Sequence, residues 1–133
     1  MRSWIAAAAF ALFTLALAAT AEAAKFDNIV VASTVDATAS ETTFAKDTPE
    51  LFLSSDLSDA PSGTKVTVSW ISVDSHGVAP PNYTIDELNF TITNENIVTS
   101  TLTKPTNGWP VGTYRVDLSV EGTVLGSIDF NIQ

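Results

Sequence analysis

The sequence predicts an all-β protein, an antiparallel β-sandwich of about seven strands without a disulfide, preceded by a helical leader. Three observations lead there. Short runs of alternating apolar and polar residues recur from Phe44 onward, separated by Gly, Pro and Asn turn signals at the spacing of a sandwich or barrel. No stretch beyond the first two dozen residues sustains a helical period. Cysteine is absent, so side-chain packing alone must close the two layers.

The leader, residues 1–23, reads as a secretory signal peptide. Arg2 supplies a positive charge, Ile5 to Ala19 is almost unbroken Ala, Leu, Ile and Phe, and small residues follow at Ala21, Ala23 and Ala24. Cleavage after Ala23 takes Ala21-Glu22-Ala23 as the small-x-small site; cleavage after Ala21 is nearly as good. The apolar run is too short and Ala-rich for a membrane span, and no second one follows it. The expected product is exported, periplasmic or extracellular, with no membrane insertion once the signal is removed. With no cysteine after the apolar run there is no lipid anchor either. What remains is room for one domain.

Residues 24–43 form an Ala/Ser/Thr-rich lead-in, with a β-compatible piece at Ile29 to Val35 that is either a first strand or loosely ordered. The sandwich domain is expected over residues 44–133. Leu51, Leu53 and Leu57 share one face of a strand while Glu50, Ser54 and Asp56 point outward. Pro61-Ser62-Gly63 turns the chain, and Val66, Val68 and Trp70 then alternate with Lys65, Thr67 and Ser69. Asp74 to Asn82, with Gly77 and Pro80-Pro81, is a loop. Tyr83 to Thr93 supplies one or two strands, Asn94-Glu95-Asn96 a turn, Ile97 to Thr103 a strand and Lys104 to Pro110 a second loop. Tyr114, Val116, Leu118 and Val120 then run to a Glu121-Gly122 turn, and Val124, Ile128, Phe130 and Ile132 return along the partner strand. That is a terminal hairpin.

The formal charge of −9 survives signal removal, because Arg2 and Glu22 leave together. Nucleic acid is an improbable partner for so acidic a chain, since binding it takes basic groups that replace counterions. An anionic membrane surface is disfavoured for the same reason. The acids are scattered and serve chiefly to keep the domain soluble.

Groups able to do chemistry are scarce. His76 is the only histidine, there is no thiol, and Met1 leaves with the signal, so thioether copper sites and Cys/His zinc sites fail on ligand count. Asp74-Ser75-His76 has the residue types of a hydrolase triad, but three consecutive residues do not align nucleophile, base and orienter. Asp47, Glu50, Asp56 and Asp59 fall in no calcium-loop pattern. No catalytic residue, metal ligand or cofactor is expected, and the chain is read as a non-enzyme.

The stretch Trp109-Pro110-Val111-Gly112-Thr113-Tyr114-Arg115-Val116 resembles the start of strand F in immunoglobulin-like and fibronectin type III-like sandwiches. In those folds a small residue two positions before a tyrosine shapes a corner, and the tyrosine hydroxyl bonds back to the preceding backbone. The resemblance makes Gly112 and Tyr114 structural, places Trp70 as the core tryptophan of strand C, and sets Val116 where antibody-type domains carry a cysteine. With no cysteine pair, the chain is similar to the small exported bacterial domains of this type, over Phe44 to Gln133. Such sandwiches serve many roles.

The resemblance also implies that the loop after the Trp70 strand and the loop before the Tyr114 strand share one end of the sandwich. His76, Tyr83, Trp109, Pro80, Pro81 and Lys104 would gather there, with His76, Tyr83 and Trp109 as candidate ligand-binding residues. For Trp109 the preferred reading is a lid on the core. The leading expectation is a non-catalytic binding or assembly module, with another exported protein or a glycan as partner. Carbohydrate recognition through Trp109 and Tyr83 is one version. A filament or surface-layer subunit adding residues 27–43 as a strand to its neighbour is another.

Overall fold

The computed structural model describes residues 24–133, so the signal peptide assigned to residues 1–23 lies outside the described part. Eight strands run in order: β1 (Lys25–Ala32), β2 (Thr43–Phe44), β3 (Glu50–Ser58), β4 (Lys65–Asp74), β5 (Tyr83–Thr91), β6 (Ile97–Thr103), β7 (Gly112–Val120) and β8 (Thr123–Ile132). They form two sheets, β1-β3-β6 and β2-β8-β7-β4-β5. Every pairing is antiparallel except β2 with β8. This is an immunoglobulin-like sandwich, in which the fifth strand extends the β4 sheet.

Period-two patterning builds the interior from both layers. Val31, Leu51, Leu53, Leu57, Val98 and Leu102 face inward from one sheet, and Val66, Val68, Trp70, Tyr114, Val116, Leu118, Phe130 and Ile132 from the other. Phe130 is the aromatic hub. The Tyr114 ring stacks on it at 5.2 Å, and Phe44 and Trp70 meet it edge-on at 5.5 and 6.2 Å. These offset and edge-to-face contacts are the arrangements that ring quadrupoles favour.

The lead-in contributes to both layers. β1 starts at Lys25, ahead of the expected Ile29, and pairs with β3; a bulge at Asn28 and Ile29 leaves Ser55 facing the gap. Ser55 Oγ donates to the carbonyl of Asp27, and Asn28 Nδ2 donates to Asp56 Oδ2 at 2.7 Å, so polar partners fill the irregular place. The strand stops at Ala32, where Ser40 and Glu41 fold back on Val31 and Ser33. β2 then crosses to the second sheet. Asn131 N donates to Thr42 O at 2.9 Å and Gln133 N to Phe44 O at 3.0 Å.

The terminal hairpin turns through Glu121 and Gly122, both with positive φ (50° and 86°), as a two-residue primed turn needs. One expected inward residue is on the other face. A bulge between Leu118 and Ser119 inserts an extra residue in β8, so Gly126 lies opposite Leu118 and Val124 opposite Ser119. Val124 is consequently 52 % exposed. Gly126 takes the inward place because β1 crosses there: a Cβ on it would sit 3.0 Å from the Ile29 side chain and 3.3 Å from Phe26.

Asn94-Glu95-Asn96 does turn the chain, and Glu95 holds it. Its carboxylate accepts from the backbone N–H groups of Thr93 and Asn94 and from the Thr93 hydroxyl, which keeps its pKa below the ordinary glutamate value.

Candidate functional site

Two loops meet at one end of the sandwich, because β4 and β7 are antiparallel neighbours: Asp74 pairs with Thr113, so the chain leaving β4 passes the chain approaching β7. The approach is close. Gly112 has φ 154°, and a Cβ there would lie 1.9 Å from the carbonyl oxygen of Asp74. Only glycine admits that packing.

The β4–β5 loop is closed by its own side chains. Asp74 Oδ1 accepts from His76 N, and the buried Ser75 Oγ accepts from Ala79 N at 2.7 Å. His76 and Asn82 take left-handed φ near 55° to complete the loop. Asp74, Ser75 and His76 are therefore turn-makers, each with a local partner. His76 is exposed and is not one of the residues lining the nearby cavity.

The β6–β7 loop docks sideways on the connection between β2 and β3. Trp109 N donates to Lys46 O at 3.0 Å, Lys104 N to Pro49 O at 2.9 Å, and the Trp109 indole Nε1 to Thr48 O at 2.7 Å. Trp109 is 3 % exposed and belongs to the core cluster, which is the lid arrangement and not an open stacking surface. Tyr114 Oη donates to Pro110 O across the corner. Burial pushes the Tyr114 pKa up to about 12.

Between these loops lies a cavity of about 160 Å³ lined by Ser72, Ala79, Tyr83, Ile85, Pro105, Trp109, Pro110 and Tyr114. Its walls are apolar. The indole and phenol tips of Trp109 and Tyr114 are already bonded inside the chain, so both rings offer it carbon only. Tyr83, half-exposed, stands at the rim, and the same end carries exposed Val78 and Val111. Ser72 also lines the recess, without adding polar surface to it. It is buried, and its Oγ has no hydrogen-bond partner among the described residues.

The structure thus brings Tyr83 and Trp109 to one recess and leaves His76 beside it; Trp70 lies in the core. Sequence reasoning did not name Ser72, although a signal existed. In Val66, Val68, Trp70 and Ser72 the inward period continues onto a polar residue at its fourth step. Pro105 and Ile85 carried no such signal. Among the described residues, no three carboxylates or imidazoles gather as metal ligands would.

No known protein family matches the chain, and no curated protein does. Solved structures do. An immunoglobulin-like protein from Pseudomonas aeruginosa matches 86 % of this chain over 100 % of its own, at 12 % identity and a TM-score of 0.54. A Pseudomonas fluorescens alkylpurine DNA glycosylase matches 83 % of this chain with 30 % of its own, at 17 % identity and TM-score 0.53. A Thermotoga neapolitana β-glucosidase matches 82 % with 16 % of its own, at 12 % identity and TM-score 0.52. The chain spans under a third of the two enzymes. At these identities the likeness is one of fold alone, and that fold is an immunoglobulin-like β-sandwich.

Proposed function

We propose that the chain is a non-catalytic, exported module that binds a protein partner through the end formed by the β4–β5 and β6–β7 loops. The observation that carries this reading is the apolar recess at that end, with half-exposed Tyr83 in its lining and the exposed Val78 and Val111 in the loops that form it. An apolar recess beside exposed apolar side chains is how anchoring contacts between proteins are built. The scarcity of proton-exchanging and nucleophilic groups, with one histidine and no cysteine, supports a binding role over catalysis. The leader supports export.

Two narrower versions draw less support. Carbohydrate recognition by stacking on Trp109 asks for an open ring face, whereas that indole is buried with its N–H committed to Thr48. Strand donation from residues 27–43 asks for a free segment, whereas β1 and β2 lie in the chain's own sheets.

Site-specific photo-crosslinking in the native host tests the proposal. A crosslinker at Val78 or Tyr83 is expected to trap one defined protein neighbour, and the same group at Thr99 or Thr101 on β6 is not expected to trap that protein. Equal trapping at all four positions, or none, counts against it. N-terminal sequencing of the secreted protein is expected to begin at Ala24, or at Glu22 for the alternative cleavage.

A further inference from the structure

We propose that β6 is a dimerisation edge, along which two copies of this chain pair strand to strand, antiparallel, about a two-fold axis at Ser100. The three-stranded sheets of the two molecules then join into one continuous sheet. No residue of β6 lines the recess.

The backbone sets the first constraint. β6 ends the β1-β3-β6 sheet, and the bonds from Leu57 N to Asn96 O (2.8 Å) and from Lys104 N to Pro49 O (2.9 Å) fix the phase of its ladder with β3. Val98, Ser100 and Leu102 are therefore the positions bonded to β3. The N–H and C=O groups of Ile97, Thr99, Thr101 and Thr103 point away from it, and they have no partner among the described residues.

The sequence sets the second. Ile97-Val98-Thr99-Ser100-Thr101-Leu102-Thr103 reads nearly the same in both directions from Ser100. An antiparallel pair centred there sets Thr99 against Thr101 and Ile97 against Thr103 on the exposed face, and Val98 against Leu102 on the buried one. Each is a pair of matched type, as a self-complementary contact requires. The same register bonds every outward group of both strands; a shift by two residues leaves end groups unpaired.

Charge selects the occupant. β6 carries no charged residue, no Pro, no Gly and no bulge against β3. The other long edges are blunted. β5 exposes Asp86 and Glu87 and is bulged against β4, and β1 carries Lys25 and Asp27, is bulged, and is crossed by β8 at Gly126. A neutral edge on a chain of charge −9 offers nothing to attract a basic segment and nothing locally to repel its own copy. Long-range repulsion between two acidic molecules remains, so salt should tighten the dimer.

Sedimentation of the secreted protein over a wide concentration range tests this. A reversible dimer is expected, tighter in about 0.5 M than in about 0.05 M salt. Thr101→Pro deletes an outward N–H on each side of the axis and no bond to β3, so dimerisation should weaken about ten-fold or more. Thr99→Lys with Thr101→Lys, which sets like charges opposite each other on the exposed face, should do the same if the proline variant does not fold. Val78→Lys should leave the dimer unchanged. In concentrated protein the amides of Thr99 and Thr101 should exchange more slowly than in dilute protein. Oxidising a mixture of Thr99→Cys and Thr101→Cys proteins should crosslink them faster than either alone, since the register sets those positions about 5.5 Å apart between Cα atoms.

A monomer at all concentrations, a dimer lost with Val78→Lys but kept by the β6 variants, or Thr99→Cys alone crosslinking as fast as the mixture would each overturn the proposal. A crosslinker at Thr99 that returns a different protein and no second copy would overturn the self-pairing in favour of a foreign strand. The module reading stands or falls separately, on what is trapped at Val78 and Tyr83.

Discussion

The Trp70 indole Nε1 donates to Ser100 Oγ at 2.9 Å, a bond that runs from the five-stranded layer to the three-stranded one. Trp70 is 1 % exposed, so removing its acceptor strands an N–H group in the core. Ser100→Ala is expected to lower stability by about 1–3 kcal/mol, measured by urea unfolding. In a double-mutant cycle with Trp70→Phe, a coupling of about 1 kcal/mol should appear. Strictly additive losses would show that the bond contributes nothing.

Tyr114 ties the chain ahead of β7 to itself through its hydroxyl on Pro110 O, and its ring stacks on Phe130. Tyr114→Phe keeps the stack and deletes the tie. The expected cost is about 1–2 kcal/mol, and hydrogen exchange should quicken for Trp109 and Gly108 while β4 amides keep their protection. Uniform quickening across all strands would contradict a local tie.

Alkaline pH should destabilise the fold through the same residue. Its pKa is pushed up to about 12 in the native state by burial, against an ordinary value of 10.0. Below about pH 10 both states keep the proton and the stabilisation is complete. Between about pH 10 and pH 12 the unfolded chain sheds a proton that the native one retains, so stability falls as pH rises. A Tyr83→Phe variant leaves Tyr114 as the sole tyrosine, and its tyrosinate absorbance should develop late, together with unfolding. Full ionisation near pH 10 with native circular dichroism would refute this.

Gly112→Ala should be the most damaging small substitution at this end of the molecule. The added methyl meets the Asp74 carbonyl oxygen at 1.9 Å, and backbone on both sides leaves nothing flexible to yield. A loss of about 3 kcal/mol or more is expected, larger than that of Tyr114→Phe, by chemical unfolding of both variants. A loss below about 1 kcal/mol would mean that the two loops are free to separate.

Where alternation is unbroken, the strands were legible. Val66, Val68 and Trp70 face inward as their spacing requires, and β6 occupies Ile97–Thr103 as read. Legibility failed at the bulges. In β1 the inward Phe26 and Val31 are five positions apart, an odd separation that period two forbids and that the bulge at Asn28 and Ile29 restores. In β8 the bulge puts Val124 on the outer face. Trp109 was ambiguous for another reason. Its burial depends on Lys46 and Thr48, about sixty positions away in sequence, and no local pattern encodes that docking. The recess was anticipated as a meeting of loops through a fold resemblance; its size and its unpaired Ser72 are properties of packing.

The parallel clasp of β2 on β8 bears on how the molecule carries load. Tension between the residues ahead of Thr43 and the C-terminal Gln133 pulls these two strands in opposite directions along their lengths. The bonds from Asn131 to Thr42 and from Gln133 to Phe44 are then sheared together, whereas an antiparallel pair gripped at its open end unzips one bond at a time. Stretching single molecules by their ends should accordingly meet an early force peak that Phe44→Ala lowers, and an unchanged peak would place the resistance elsewhere.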